Sequence, residues 1–600
     1  MFLRSKSRYK NGKQHRYFSV VENRRVAGGG VHQRQVLYLG EINDTQEEAW
    51  RRTLDVFDEE RRCTCQLSLF PDDRPIPADA ANALSVRLTE LRVRHPRGFG
   101  DCWLGLELWR ELKLDVFWER ALGKDRGEVA WEKVLAVLAI NRLLAPGSEW
   151  KLHREWFLSS AMGELLGGGF ALAGKDRLYR CLDRILSHKD ALCQHLTERW
   201  RDLFSVSFDV LLYDLTSTYF EGRCEENPKA VHGHSRDNRG DCRQVVIALV
   251  VTPEGLPLAY EVMSGNTSDK TTLKGFLAKI EGMYGKARRV WVMDRGIPTE
   301  AMLEEMRGEG VNYLVGTPRT MLSRHEQALL EKPREQVHEQ MRVKLLDHED
   351  EVYVLAQSGE RQKKENAMRR RKLKKLVHGL NRIKRHESNR DRLIRRVAVL
   401  KKEAGRVFSF VKVVEPKSDE PVNRQTFRCT FDRKGWRHAL EWDGAYLLRG
   451  HFTDDEVAHD GESLWRMYMQ LVQVEGAFRN LKSEVEVRPV YHQLEHRVDA
   501  HILVAFLGYC LLAHLKMKLT PHGPGLSPRS AIEKLSAIRL VDVEIPTTDG
   551  RWLILPRYTE PEAEQLMVLE KLGWSLPAQP PPRIRGEQVE LPTMAKEVAV

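Results

Sequence analysis

The pattern of apolar and polar positions changes several times along the chain, and each change predicts a different kind of element. Residues 1–42 alternate apolar and polar positions around a glycine turn, in YFSVVENRRVAGGGVHQRQVLYLG, which is typical of a β-hairpin. The proline-containing linker FPDDRPIPADA then ends a first region, residues 1–80. Residues 81–205 carry apolar residues at spacings of three and four, as in VAWEKVLAVLAINRLL, which predicts a helical domain that is a candidate for binding DNA.

Residues 206–318 alternate between strands and helices. Apolar runs predict strands at DVLLYDL, CRQVVIALVVT, PLAYEVMSG, RRVWVMD and VNYLVGT. Helices at TTLKGFLAKIEGMYG and TEAMLEEMRGEG precede the fourth and fifth strands. This order predicts an α/β fold with a mixed five-stranded sheet and flanking helices.

The remaining chain divides into three regions. In residues 319–457 a basic helical segment lies between two strand-rich stretches, residues 458–525 return to a strong helical pattern, and residues 526–600 are mixed. The basic segment, from Arg361 to Arg406, holds 19 lysines and arginines against four acidic residues, while the whole chain has a net charge of +11. Concentrated charge of this kind is typical of a surface that binds a polyanion. A solvated charged helix is an equal alternative.

Composition narrows the class of protein. With 42% hydrophobic and 30% charged residues, a disordered chain is excluded. The longest apolar run, near Ile502 to Leu512, falls short of the roughly 20 residues of a membrane helix, so we expect no membrane partner. The nine cysteines are dispersed along the chain, which favours reduced thiols and a cytoplasmic location.

Three acids are the candidates for chemistry. Asp214 in LLYDLTSTYF and Asp294 in VWVMDRG each end an apolar strand, where a carboxylate is held rigidly yet faces solvent. For either aspartate alone, a turn or capping role is the commoner explanation. Glu475 lies seven residues after Tyr468 and seven before Lys482 in a helical pattern, so the three share one helix face.

The alternative for Glu475 is an apolar heptad stripe in which Arg479 offsets the acid. Taken together, two strand-end aspartates and a helical glutamate indicate a site for two metal ions. Oxygen ligands suit Mg²⁺ or Mn²⁺, and bound cations would remove the repulsion between the acids. Two ions about 4 Å apart can activate water or a 3′-hydroxyl for phosphoryl transfer.

These motifs resemble the DDE transposases of bacterial insertion sequences, which have a ribonuclease H-like catalytic fold. The resemblance is strongest in LLYDLTSTYFEG, VWVMDRG, YLVGTPR and VEGAFRNLKSEVEVRPVYHQLEHRVDAHI, and in the long stretch that begins HGHSRDNRGDCRQVV. It implies that Asp214, Asp294 and Glu475 are the catalytic, metal-binding acids. It also implies that residues 319–457 are an insertion domain, β-rich in relatives, between two parts of the catalytic core.

A subgroup of this family carries a Tyr-x2-Arg-x3-Glu-x6-Lys signature. Tyr468, Glu475 and Lys482 match it, and the resemblance implies that the tyrosine and the lysine contact DNA phosphates near the transposon end. Leu471 stands at the arginine position, which puts the contact made by that arginine in doubt.

Several further side chains have two interpretations. Arg466 and Arg479 are the candidates to replace the signature arginine, and Arg295 could contact the scissile phosphate or pair with an acid. Trp436 or Trp442 could stack on an unpaired or flipped base during end processing, although a core tryptophan is the more common case.

The expected function follows from the resemblance. It is a transposase that binds terminal inverted repeats, cuts at the element ends and joins the 3′-hydroxyl ends to target DNA with two Mg²⁺ or Mn²⁺ ions. Its partners would be DNA and a second copy of the chain in a synaptic complex, in the bacterial cytoplasm at the nucleoid. The alternatives are a nuclease that never joins ends and a domesticated DNA-binding protein, and the presence of all three acids counts against the latter.

Overall fold

The computed structural model describes residues 2–10, 13–25, 31–41, 53–72, 83–123, 129–267, 280, 282, 289–294, 297–317, 335–338, 341–348, 350–418, 420–453, 460–523 and 525–586. The chain divides into two compact units. Unit 1 comprises Met1–Ser205, Thr218–Gln244 and Ala477–Val600, and unit 2 comprises Val206–Ser217 and Val245–Gly476.

The strands take their bounds from the backbone pairing. They are β1 Phe2–Lys10, β2 Lys13–Arg25, β3 Val31–Glu41, β4 Thr53–Asp58, β5 Cys63–Pro71, β6 Ala83–Val86, β7 Arg92–Gly98, β8 Val210–Tyr219, β9 Gln244–Val251, β10 Pro257–Ser264, β11 Val290–Met293, β12 Asn312–Gly316, β13 Glu335–His338, β14 Met341–His348, β15 Glu351–Ser358, β16 Val411–Val414, β17 Arg428–Phe431, β18 Ala445–His451, β19 Arg539–Pro546, β20 Trp552–Tyr558 and β21 Arg583–Arg585.

The α-helices differ widely in length. They are α1 Gly100–Glu111, α2 Leu114–Leu122, α3 Trp131–Leu144, α4 Glu149–Lys151, α5 Met162–Leu166, α6 Lys175–Ile185, α7 Lys189–Phe204, α8 Glu300–Gly308, α9 Gly359–His386, α10 Arg390–Ala404, α11 Arg433–Glu441, α12 Gly461–Met469, α13 Leu471–Arg479, α14 Glu495–Leu519, α15 Pro528–Leu535 and α16 Ala563–Leu572. A π-helical turn, Asn480–Glu484, directly continues α13.

The N-terminal strands of unit 1 form an antiparallel sheet in the order β1-β2-β3. The hairpin predicted for residues 1–42 is confirmed in β2 and β3, which pair from Tyr17–Glu41 to Arg25–Val31. The hairpin prediction is incomplete, because β1 adds a third strand along β2. The sequence of β1, FLRSKSRYK, is mostly polar and therefore gives little apolar alternation to detect.

A second sheet in unit 1 joins residues 53–98 to the C-terminal region, in the order β6-β5-β4-β21-β20-β19-β7. Its core includes Val56, Leu84, Val541 and Leu553, all buried. The prediction of helix from residue 81 is wrong for β6 and β7, and within residues 83–123 the first α-helix begins at Gly100. β7 is an edge strand of largely polar sequence, RVRHPRG, so its pairing with the distant β19 decides its conformation.

The helices of unit 1 pack around α14, which contacts α1, α3 and α6. The stretch Glu495–His522 is long and apolar enough to cross a membrane, but 94% of its most apolar window is buried inside the protein. The sequence argument that this run is too short to span a membrane therefore does not hold. The helix is therefore a core helix, and His501 and His514, on either side of the apolar run, are buried as well.

Unit 2 is built on a nine-stranded sheet in the order β10-β9-β8-β11-β12-β18-β15-β14-β13. The predicted α/β class is confirmed, and the five predicted strands, β8 to β12, are all present and adjacent. β11 runs parallel to both β8 and β12, and β10 runs antiparallel to β9. β9 and β11 are buried along their whole length, which explains their continuous apolar sequences. The predicted helix at residues 271–285 lies outside the described residues, apart from Ile280 and Gly282.

The sheet has more strands than the five predicted, because four strands from residues 319–457 extend it. β18 pairs antiparallel with β12 and with β15, and β14 and β13 follow. The buried carboxylate of Glu351 stabilises this junction, since it accepts hydrogen bonds from Arg307 Nη1 at 2.7 Å, Arg449 Nε at 2.6 Å and Tyr353 Oη at 3.0 Å, and from the Tyr313 hydroxyl. A local apolar pattern predicts a strand but not the sheet it joins.

The basic segment forms a helical hairpin, α9 and α10, within unit 2. An apolar stripe runs along the hairpin: Leu376, Leu380 and Ile383 are buried against Leu393 and Val397. The opposite face carries exposed lysines and arginines. The hairpin therefore has its own apolar core beneath a basic surface.

Candidate active site

The first two acids lie on adjacent parallel strands of unit 2. The register of β8 and β11 pairs Tyr213 with Met293, and Asp214 and Asp294 follow these two residues directly. Parallel neighbours are about 4.8 Å apart, so the register brings the two aspartates to the same level of the sheet. The expectation that Asp214 ends its strand is wrong, because β8 continues to Tyr219. What ends at Tyr213 is the pairing with β11.

Glu475 lies on α13 and Tyr468 on α12. The single helix predicted from Leu464 to Glu484 is interrupted at Gln470 and changes to a π-helical turn at Asn480. A constant helical azimuth over fourteen residues therefore does not hold, because each interruption rotates the positions that follow it. Glu475 and Tyr468 nevertheless reach a common cavity.

That cavity has a volume of about 430 Å³, and its walls include Asp214, Asp294, Tyr468 and Glu475. Asp214 is half-buried, whereas Asp294 and Glu475 are exposed. The structure thus brings the three predicted acids and the signature tyrosine together at one edge of the nine-stranded sheet.

Hydrogen bonds orient two of the carboxylates. The backbone N–H of Leu215 donates to Asp214 Oδ1 at 2.7 Å, and the Tyr468 hydroxyl donates to Asp294 Oδ1 at 3.0 Å. Both bonds fix the rotation of an acceptor side chain at the cavity wall. The observed partner of Tyr468 is therefore the second acid.

Leu471, at the signature arginine position, lines the cavity, and so does Arg361 from the first turn of α9. Arg466 instead pairs with Glu462 one turn earlier on α12, with Nε to Oε1 at 2.8 Å. Arg361 pairs with Glu365 at 3.1 Å, lies over the ring of Tyr446, and keeps 48% of its side chain exposed. Sequence reasoning missed Arg361, which is more than a hundred residues from Glu475; its only signal was membership of the basic segment.

The donor set at the cavity fits a divalent hard cation. Carboxylate oxygens are the ligands that Mg²⁺ and Mn²⁺ prefer, and three acids around an open cavity leave room for waters of hydration. Among the described residues, the one group of three metal-ligating side chains with all ligand atoms within 4.8 Å of one another lies elsewhere, in unit 1. The catalytic candidates are therefore arranged around a space rather than in mutual contact, which limits their repulsion.

That unit 1 group consists of Glu149, His492 and His501, all buried. The guanidinium of Arg142 lies against it, with Nη2 3.1 Å from His501 Nδ1 and 3.8 Å from Glu149 Oε1. Burial lowers the pKa of His501 well below its usual range, with Arg142 acting in the same direction. A resident arginine cation already neutralises the glutamate, so we interpret the group as a buried ion pair beside His501 and His492.

The other predicted contact residues lie outside the cavity wall or outside the described residues. Lys482 belongs to unit 1, where its Nζ donates to Asp237 Oδ1 at 2.8 Å. Burial lowers the pKa of Lys482, although Asp237 opposes the effect. Arg479 is exposed in the last turn of α13, and Arg295 is not among the described residues.

Both candidate base-stacking tryptophans are half-buried in apolar surroundings. Trp436 packs on the core of the helical hairpin, with its ring 5.4 Å from that of Phe410. Trp442 packs on the cluster that includes Leu346 and Leu447. These contacts are those of core tryptophans, the more common case.

Two protein-family models match parts of the chain. The family model of the transposase DDE domain matches residues 209–511, which include Asp214, Asp294 and Glu475 and amount to half the chain. The model of the N-terminal domain of IS1634 family transposases matches residues 3–61. No curated protein matches the chain.

Proposed function

Because the chain belongs to the DDE transposases of insertion sequences, we propose that it cuts DNA at the ends of its own element and joins the freed 3′-hydroxyl ends to target DNA. Members of this family bind DNA and generally use divalent metal ions. The proposal adds to family membership the reaction sequence, the residues and the assembly.

The metal-binding residues in this proposal are Asp214, Asp294 and Glu475, with two Mg²⁺ or Mn²⁺ ions. Bound ions would supply Lewis-acid activation of a water or 3′-hydroxyl nucleophile and charge stabilisation of the leaving oxygen. The N–H of Leu215 and the hydroxyl of Tyr468 hold two of the carboxylates in fixed orientations. Preorganised ligands avoid the cost of ordering them at the moment of reaction.

Cations around the acids would bind the DNA backbone. Arg361 lines the cavity, and its planar guanidinium suits phosphate oxygens, so we assign it the role that Leu471 cannot perform. Lys482 is assigned a phosphate contact, as are Arg479 and Arg295. The hydroxyl of Tyr468 would keep its hydrogen bond to Asp294, and the edge of its ring would contact the bound DNA strand.

Longer DNA segments would contact the basic helical hairpin and the helices of residues 100–204. Two element ends must be paired before joining, so a dimer is expected in the synaptic complex. In this proposal residues 206–318 and 458–525 form the ribonuclease H-like catalytic core, residues 319–457 are inserted in it, and the enzyme works in the bacterial cytoplasm at the nucleoid.

The observation that carries the proposal is the register that sets Asp214 beside Asp294 at a cavity also lined by Glu475. The test uses DNA from both flanks of the coding region, searched first for short inverted repeats. With Mg²⁺ or Mn²⁺ the protein should nick these ends and join pre-cut ends to a second duplex. Asp214→Asn should abolish both reactions and retain DNA binding.

The matched control is Glu462→Gln, which removes a half-buried acid of α12 outside the cavity wall and should leave both reactions intact. Cleavage without joined product would replace the proposal with a nuclease. DNA binding without either reaction, in the presence of either metal, would replace it with a DNA-binding protein.

A further inference from the structure

A buried cluster in unit 1 joins Lys482 to Asp237 and Arg488. The Nζ of Lys482 lies 2.8 Å from Asp237 Oδ1, and Nη1 of Arg488 contacts the same oxygen. The side chains of Asp237 and Lys482 are 7% and 11% exposed, and that of Arg488 is 28% exposed. One carboxylate oxygen thus serves two cations, of which Arg488 is the more exposed.

The carboxylate is incompletely satisfied. Its second oxygen, Oδ2, is buried and has no hydrogen-bond partner among the described residues. A buried acceptor without a donor costs free energy. Asp237 therefore holds the two cations with half of its hydrogen-bonding capacity unused.

The cations outnumber the acid. Two positive side chains, Lys482 and Arg488, share one carboxylate, and Arg488 and Arg236 both act electrostatically against the charge of Lys482. Partly desolvated positive charge of this kind favours binding a further anion. A phosphodiester offers two acceptor oxygens, which match an arginine fork and a neighbouring ammonium.

We propose that Lys482 and Arg488 form a binding site for a DNA backbone phosphate, and that Asp237 occupies this site until DNA displaces it. Arg488 is then a second phosphate contact beside the signature lysine. Asp237 is a built-in competitor, which lowers affinity for DNA that cannot replace it well. The inference rests on the proposed function only in taking DNA as the ligand.

Binding of a short mixed-sequence duplex, measured by fluorescence anisotropy at several salt concentrations, tests the site, because phosphate contacts do not depend on sequence. Arg488→Gln should weaken binding several-fold and reduce the magnitude of the salt slope by about one. Arg488→Lys should keep most of the slope. Asp237→Asn should tighten binding several-fold.

Two controls separate the site from general charge. Arg529→Gln removes an exposed arginine from α15, and Asp183→Asn removes an acid paired with Arg497 on the surface. Neither should reproduce the effect of the corresponding cluster variant. In a double-mutant cycle, the gain from Asp237→Asn should vanish when Lys482 and Arg488 are both changed to glutamine.

Weaker or unchanged binding by Asp237→Asn would overturn the competitor role, and an unchanged affinity and slope for Arg488→Gln would overturn the phosphate site. Thermal unfolding of each variant shows that the fold is kept. If Asp214→Asn abolishes cleavage while the cluster variants bind as the wild type does, this inference alone fails. If the wild type binds no duplex at low salt, the proposed function fails with it.

Discussion

Some functional residues are placed by a feature that a local sequence pattern shows, and others only by contacts between distant parts of the chain. Asp214 and Asp294 are set by one strand register, and their acidic side chains after apolar strands could be recognised in the sequence. Arg361 reaches the same cavity from the first turn of α9, and Asp237 reaches Lys482 from a turn 245 residues earlier. No local pattern encodes such encounters, because tertiary packing creates them.

Replacement of Arg361 tests the cation at the cavity. Arg361→Gln should lower the rate of strand cleavage about tenfold, equivalent to about 1.4 kcal/mol of transition-state stabilisation, because a guanidinium beside the acids helps to hold the scissile phosphate. Single-turnover cleavage of end DNA at saturating protein gives this rate directly.

The control for that experiment is Arg437→Gln, which changes an exposed arginine of α11 outside the cavity wall. It should cleave at the wild-type rate. Equal rates for both variants would show that Arg361 has no part in the reaction.

Helices and strands were predicted well from the sequence where both faces of the element are buried. β9 and β11 are buried on both faces, so their apolar sequences identify them as strands. β1 and β7 are polar strands held by a neighbour, and the breaks in the helix that carries Glu475 depend on local hydrogen bonding. Periodicity identified the helix but could not show that it stops at Gln470.

Elements of unit 1 are tied together by a half-buried acid at the end of α1. Glu111 accepts hydrogen bonds from His514 Nε2 at 2.7 Å, Lys518 Nζ at 2.7 Å and Trp574 Nε1 at 3.0 Å. Burial alone would raise the pKa of Glu111, but His514 and Lys518 outweigh it and hold the pKa at about 2. The ionised carboxylate thus links α1 to α14 and to the chain after α16.

Glu111→Gln should lower the free energy of unfolding by about 2 kcal/mol at pH 7, because an ionised acceptor of three donors is lost. A depressed acid pKa stabilises the fold above the unfolded-state pKa of about 4.5, and this stabilisation is lost as the pH falls towards 2. Thermal unfolding at pH 7 and pH 3 should therefore show a difference between wild type and variant that shrinks with acid.

Glu107→Gln serves as the control on the same helix, since Glu107 pairs locally with half-exposed Arg110. It should change stability little at either pH. A difference for Glu111→Gln that stays constant from pH 7 to pH 3 would contradict the assigned ionisation.

At the scale of the whole molecule, positive charge is concentrated on one structural feature. The helical hairpin carries most of the basic segment on the outside of its own apolar core. A basic surface over a well-packed core can be changed without unfolding the hairpin. The contrast between a DNA-binding surface and a solvated charged helix can therefore be decided by experiment.

The combined variant Arg371→Gln, Lys372→Gln and Lys374→Gln changes three exposed cations of α9. If these side chains contact phosphates, the magnitude of the salt slope for DNA binding should fall by up to about three. An unchanged slope, with helicity by circular dichroism equal to that of the wild type, would identify the hairpin as a solvated charged helix.

The seven-stranded sheet has a consequence for synthesis on the ribosome. β7 pairs with β19, and β4 pairs with β21. During synthesis these two early strands therefore lack a partner strand that is translated several hundred codons later. Until then each keeps a row of unpaired amide and carbonyl groups, the usual nucleus of edge-to-edge aggregation. We expect a product released by premature termination before Arg539 to keep these edges unpaired, and so to be a substrate for chaperones and proteases rather than a shorter working protein.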